Sequence, residues 1–175
     1  KENNIDLLCL QETKTPDEYF PHNEFEAIGY KKQYYRGEKS YNGVAILSKF
    51  NFEEPKYINW CSKNDTRHIY VRISSEVELH NFYVPAGGDD PDVSRNPKFE
   101  HKITFLNEMY EYFSKNTKAN KILVGDINIA PFENDVWSHK QLLNVVSHTP
   151  IETETLLKII EIGEWTDVMR ELVPH

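Results

Sequence analysis

Apolar residues along the chain come in short runs, separated by polar stretches rich in Asn, Pro and Gly. Residues 5–10 form the first run and read as a central strand that ends in Gln11-Glu12-Thr13-Lys14. A Pro-punctuated stretch follows to residue 28, with a short helix starting at Pro16. Residues 30–35 alternate weakly, as an edge strand does, and residues 36–40 read as a polar turn. Residues 41–48 join a turn glycine to a buried strand. Residues 49–66 read as loop, with a short strand over 57–60. Residues 67–73 alternate polar and apolar, the pattern of a half-buried strand, and residues 77–84 form the next strand. Two hairpin-like strands with no helix between them argue against a doubly wound parallel sheet. After a polar loop over 89–97, Ile103, Leu106, Met109, Tyr110 and Phe113 recur at helical spacing and predict one helix over 99–113. Ile122, Leu123 and Val124 form an unbroken β-branched and aliphatic run, which predicts a strand covered on both faces. A loop then runs through residue 134. A second long helix spans 152–162, with Thr149 or Thr153 as its cap, and residues 165–170 make a short segment after it. No internal repeat interrupts this order.

Length and composition narrow the class. The chain has 175 residues, enough for a single domain with a sizeable core. Hydrophobic residues are 39% and charged residues 27%, an ordinary globular balance. No apolar run is long enough to span a membrane and no signal peptide is evident, so we expect a cytoplasmic protein. Cys9 reads as a core thiol. Cys9 and Cys61 match no metal spacing, and a disulfide between them stays open at this level. The net charge of -8 weighs against a nucleic-acid partner without excluding one. Basic clusters occur at Lys31, Lys32, Arg36 and Lys39, and again at Lys98, His101 and Lys102; each reads as a solvated face or a contact surface. Residues 1–4 resemble the last turn of a helix, and the chain stops just after a helical stretch. The expectation is therefore a piece of a longer protein.

The candidate chemistry lies at the strand ends. In Gly125-Asp126-Ile127-Asn128, a glycine permits a sharp turn, and Asp126 and Asn128 would project to one side if the backbone there is extended. Burying such polar groups without partners costs roughly 1–3 kcal/mol each. A lone Asp-x-Asn is ordinarily an Asx-turn. Glu12 and Tyr83 also follow apolar strands, however, and if those strands share a core the four polar groups converge. Two carboxylates at one edge need a cation between them. Oxygen donors of this kind suit hard Mg²⁺ or Mn²⁺. A hard cation, a spare carboxylate, an amide and a phenol together suit phosphate ester hydrolysis.

At this point the residues resemble a known family. Leu10-Gln11-Glu12-Thr13-Lys14, Gly43-Val44-Ala45-Ile46-Leu47, Tyr83-Val84-Pro85-Ala86-Gly87 and Gly125-Asp126-Ile127-Asn128-Ile129-Ala130-Pro131 occur in the order and spacing of the exonuclease III family of abasic-site endonucleases, within the endonuclease/exonuclease/phosphatase superfamily. Lys98-Phe99 and the segment from Trp165 to Arg170 extend the likeness over essentially the whole chain. The resemblance implies a four-layer α/β/β/α sandwich with two packed mixed sheets. It implies a Mg²⁺-dependent DNA repair nuclease that cuts 5′ to abasic sites and removes 3′ end groups. Its partner would be double-stranded DNA with abasic or 3′-blocked sites, and the enzyme would act as a monomer. By the same resemblance Tyr83, Asp126 and Asn128 are the catalytic residues, and Glu12, Asp126 and Asn128 hold the metal. Arg67 and Lys98 fall near the substrate groove. Trp165 and Met169 fall near a flipped-out abasic site, and both read equally as core. The family's N-terminal Asn-x-Asn strand and C-terminal Ser-Asp-His motif are not in this sequence, so the expectation is that these 175 residues alone are inactive. His101, His139 and His148 match no such motif and read as surface or groove residues.

Two other readings remain open on the residues. One keeps the chemistry on a different substrate, as in a phosphatase of the same superfamily, and the acidic balance leans that way. The other is a binding module that keeps the fold without catalysis, against which the intact set of Glu12, Tyr83, Asp126 and Asn128 argues.

Overall fold

The computed structural model describes residues 4–116 and 120–173. The reading of residues 1–4 as a helix end falls on residues 1–3 and so lies outside the described residues. The chain divides into two compact units, Lys1–Val84 with Ala119–Ile127, and Pro85–Lys118 with Asn128–His175.

The first unit carries every strand found among the described residues. In chain order these are β1 (Leu7–Gln11), β2 (Lys32–Glu38), β3 (Tyr41–Ser48), β4 (Glu53–Lys56), β5 (His68–Ser74), β6 (Val77–Tyr83) and β7 (Asn120–Asp126), with the short helix α1 (His22–Ala27) between β1 and β2. They form two sheets. One is three-stranded in the order β1-β3-β2, and the other is four-stranded in the order β4-β5-β6-β7. The first is antiparallel throughout; in the second only β6 and β7 run parallel. The sheets pack through Val44 and Ile46 from β3 against Ile69, Val71 and Leu79 from β5 and β6, with Leu7, Cys9 and Val124 at the margin. Every residue of β3 from Asn42 to Ser48 is buried, because β3 is central and its outer face is covered by Phe20 and Tyr30. Burial pushes the Cys9 thiol up to about 11, and no disulfide joins Cys9 to Cys61.

Several expectations change here, each for a reason of sheet position. The first strand is not central: among the described residues β1 lies at an edge, and β3 takes the middle because it pairs on both sides. The run Ile122-Leu123-Val124 is not covered on both faces. β7 is an edge strand among the described residues, and Ile122 is 44% exposed. The turn expected over 36–40 is shorter, since β2 continues to Glu38 and pairs there with Tyr41. The short strand expected at 57–60 forms instead as β4, at Glu53–Lys56. It carries Pro55, which an edge strand tolerates because one side of its backbone donates to no ladder.

The second unit is helical. It contains α2 (Pro97–Lys115), α3 (His139–Leu142), α4 (Pro150–Ile162) and α5 (Val168–Leu172). α2 starts on an Asn96 cap whose side chain accepts from Lys98 N, with Pro97 at its first position, where a missing N–H costs nothing. It packs against α4. The stripe of α2 is wider than the spacing indicates: Phe99, Lys102 and Phe105 are buried with Ile103, Leu106, Met109 and Phe113, whereas Tyr110 is exposed. α4 is capped by Thr149, whose N–H and hydroxyl both donate to the Glu152 carboxylate in the first turn. No helix among the described residues is long and apolar enough to cross a membrane.

Candidate active site

Three of the sequence-derived site residues gather at one end of the first unit. β1 ends at Gln11, and the chain leaves regular extension at Glu12, whose φ is +54°. The Glu12 carboxylate lies 2.5 Å from Lys14 Nζ and accepts a hydrogen bond from the Tyr83 phenol. The Lys14 and Tyr83 hydrogen bonds hold its pKa below the usual carboxylate range. Tyr83 closes β6. Burial raises its pKa, and the bond to Glu12 raises it further, while Arg67 opposes the shift. The phenol therefore stays protonated near neutral pH and can only be a donor or a neutral acceptor there. Asp126 closes β7 and stands directly opposite Tyr83 in the parallel ladder. Its charge adds to the upward shift of the tyrosine, and its main-chain oxygen accepts from Val84 N at 2.9 Å.

Gly125 lets these two strand ends approach. Its φ is +132°, and an added Cβ would collide with the Phe82 carbonyl oxygen on the neighbouring strand. The sharp turn expected of this glycine is thus a close backbone approach just before Asp126.

Arg67 sits behind Tyr83 and is almost entirely buried. Its Nε donates to Asp65 Oδ2 at 2.9 Å. Its terminal nitrogens donate to the Tyr83 main-chain oxygen and to the Tyr41 hydroxyl, both at 3.3 Å. The guanidinium lies 4.9 Å from the centre of the Tyr83 ring, close enough for a cation–π attraction. Arg67 thus braces Tyr83 from the inside with its donors largely engaged.

The remaining candidates lie in the second unit. Asn128 is not part of an extended segment: β7 ends at Asp126, and Asn128 has φ +54°. The alternation that would place Asp126 and Asn128 on one side therefore does not apply. The Asn128 main-chain oxygen accepts from Lys102 Nζ at 2.7 Å. Lys98 is exposed in the first turn of α2. Trp165 packs edge-on against Phe113, with ring centres 5.3 Å apart, so the core alternative describes its surroundings. Met169 is 68% exposed on α5, so the core alternative fails for it.

Two basic or histidine positions read as surface are inside. Lys102 does not belong to a solvated cluster with Lys98 and His101: its side chain is fully buried against Glu152. His148 is also buried. Its Nδ1 is 2.7 Å from the Ala130 carbonyl oxygen, and its Nε2 is 2.9 Å from His139 Nδ1. A carbonyl only accepts, so His148 donates from Nδ1. Sequence reasoning also passed over Asn81. The signal was present, because Asn81 occupies an inward position of β6 between Leu79 and Tyr83, where the alternation calls for an apolar side chain.

Among the described residues no group of three or more His, Cys, Asp and Glu could hold a metal ion. The oxygen donors at the strand ends still fit a small hard cation. Mg²⁺ keeps several waters and takes only one or two protein carboxylates. The Lys14 ammonium resting on Glu12 shows that this carboxylate already draws a positive charge.

Two packed sheets thus carry a carboxylate, a half-buried phenol and a second carboxylate together at their strand ends, in a chain of α/β class. Residues 1–163 match the family model described as the Endonuclease/Exonuclease/phosphatase family. The chain belongs to that family. It is 33% identical over 141 residues to exodeoxyribonuclease III of Haemophilus influenzae, covering 75% of this chain and 50% of that one. It is 28% identical over 174 residues to the DNA repair nuclease APEX1 of Danio rerio, covering 97% of this chain and 54% of that one. Among solved structures, an AP endonuclease from Archaeoglobus fulgidus superposes with a TM-score of 0.87 at 33% identity, over 97% of this chain and 65% of that one. The chain spans about half the length of the two sequence relatives.

Proposed function

We propose that the protein carrying this chain is a divalent-metal-dependent DNA repair nuclease, hydrolysing the phosphodiester 5′ to abasic sites and clearing 3′ end groups. The observation that carries this reading is the grouping of Glu12, Tyr83 and Asp126, with the phenol bonded to Glu12 and in register with Asp126. The similarity to exodeoxyribonuclease III and to a DNA repair nuclease supplies the substrate class. The family match runs through both units, which supports treating them as parts of one catalytic domain.

Glu12 and Asp126 would hold Mg²⁺, or Mn²⁺ in its place, with Asn128 assigned beside them from the sequence word alone. When bound, such an ion would polarise a phosphoryl oxygen and stabilise the departing oxyanion. Asp126 orients and deprotonates the attacking water. Tyr83 donates its single proton to a phosphate oxygen as charge grows there, for which it must release Glu12. Arg67 keeps the tyrosine ring in place while that exchange occurs. Lys98 and Met169 are proposed contacts to the DNA, Met169 by virtue of its exposure, whereas Trp165 packs against Phe113.

The test is incision of a duplex with one abasic site by the natural protein in Mg²⁺, beside hydrolysis of a soluble phosphomonoester. Asp126→Asn and Glu12→Gln should each lower incision by at least about 10²-fold, on the scale of removing one transition-state donor. Preference for the phosphomonoester would move the assignment to a phosphatase. Mg²⁺-independent DNA binding without turnover would make it a binding module.

A further inference from the structure

Glu12 is a non-glycine residue with φ +54°, a conformation that side chains rarely adopt and that persists where the surroundings dictate it. Two sets of bonds dictate it here. On the C-terminal side, Thr13 N donates to Gly43 O at 3.3 Å and Lys14 N donates to Asn42 O at 2.9 Å. Gly43 permits this approach, since an added Cβ there would collide with Thr13 Oγ1.

On the N-terminal side the agent is Asn81. It projects from β6, in the opposite sheet, and is fully buried. Its Nδ2 donates to Leu10 O at 2.9 Å and to Ala45 O at 3.0 Å. Leu10 and Ala45 are partners across the β1–β3 ladder, so one carboxamide grips both strands at a single rung. Its Oδ1 accepts from Gln11 Nε2 at 2.7 Å. Both amide protons and the oxygen are thus used. β1 and β6 lie in different sheets, with no ladder between them. Apolar packing between sheets is non-directional, whereas these three bonds have fixed lengths and directions. They anchor the two residues immediately before Glu12 to a point two residues before Tyr83, on the same face of β6.

We infer that Asn81, acting through Gln11 and the Leu10 carbonyl, is a positioning residue that sets the Glu12 carboxylate against Tyr83 across the two sheets and so determines divalent-cation affinity at Glu12. This rests on the proposed metal role of Glu12. Outer partners of this kind orient a ligand whose own rotamers are many, and their loss is felt in metal affinity before it is felt in the fold.

The test uses the natural protein and titrates it with Mg²⁺ by calorimetry and with Mn²⁺ by electron paramagnetic resonance. Gln11→Met keeps the length of the side chain and removes only the bond to Asn81. It should weaken cation binding about 10–100-fold, while the thermal midpoint stays well above the assay temperature. Val71→Ala, which opens the core between the sheets without touching β1, is the control; it should lower the midpoint and leave cation affinity unchanged. Wild-type affinity in Gln11→Met, alongside loss of binding in Glu12→Gln, overturns the positioning role and leaves the functional reading intact. Unchanged affinity in Glu12→Gln removes the metal role of Glu12 and the inference with it. An affinity loss in Gln11→Met that only tracks its unfolded fraction, or an equal loss in Val71→Ala, also overturns the inference.

Discussion

Lys102 and Glu152 form an ion pair 2.5 Å long in which neither side chain has any exposed surface. The lysine also donates to the carbonyls of Ala86 and Asn128 and to Ser147 Oγ. The glutamate accepts from Ser147 N, Thr149 N and Thr149 Oγ1. A pair of charges inside a protein is tolerable when the remaining donors and acceptors are met in this way. The pair joins α2, the start of α4 and the two loop segments that hold Ala86 and Asn128.

Lys102→Met should therefore leave the Glu152 carboxylate uncompensated and destabilise the protein by about 3–5 kcal/mol. Lys102→Met with Glu152→Gln should cost less than Lys102→Met alone, because a carboxamide still accepts from Ser147 and Thr149 without a buried charge. Urea denaturation of the two variants checks the order.

Gly125→Ala places a Cβ against the Phe82 carbonyl, in a backbone conformation that side chains rarely adopt. Neither strand can yield without breaking the β6–β7 ladder. A loss of roughly 2–3 kcal/mol or more is expected, read from the same denaturation curves. Asp126 adjoins this glycine, so cation binding should weaken in the variant as well.

His68 and His80 face each other in the second sheet, ring nitrogens 3.1 Å apart, in a stack that includes Tyr70 and Phe82. Burial depresses both, His80 to about 3 and His68 well below its ordinary value. The unfolded chain takes up these protons near pH 6.5, and the folded chain does not. Stability is thus fully present above about pH 6.5 and falls as pH drops toward 3, by about 1.4 kcal/mol per pH unit for each histidine. Denaturation midpoints between pH 7 and pH 4 measure the slope. His68→Phe with His80→Phe, which keeps the rings and removes both titrations, should flatten it.

Tyr83→Phe keeps the ring over Arg67 and removes the proton donor. Incision should fall by about 10²–10³-fold with little change in folding, because the lost bond is to an exposed carboxylate. Equal rates for the variant and the wild type would show that the phenol takes no part in the reaction.

Local pattern by itself determined the course of the chain. The helical spacing within α2, the Thr149 cap of α4, the buried β3 and the hairpin of β5 and β6 all follow from nearest neighbours, since propensity, capping and periodicity act over a few residues. Sequence words also identified Glu12, Tyr83 and Asp126, which the first unit brings together. Only the tertiary structure decided which polar residues are inside. Lys102, His148 and Asn81 are polar by sequence, and each is buried because its partners come from distant segments. Sheet order, likewise, is a property of pairings far apart along the chain. It left Ile122 on an edge strand among the described residues, where an unbroken apolar run had predicted cover on both sides. A periodicity reports which side chains share a face; what that face meets depends on long-range contacts.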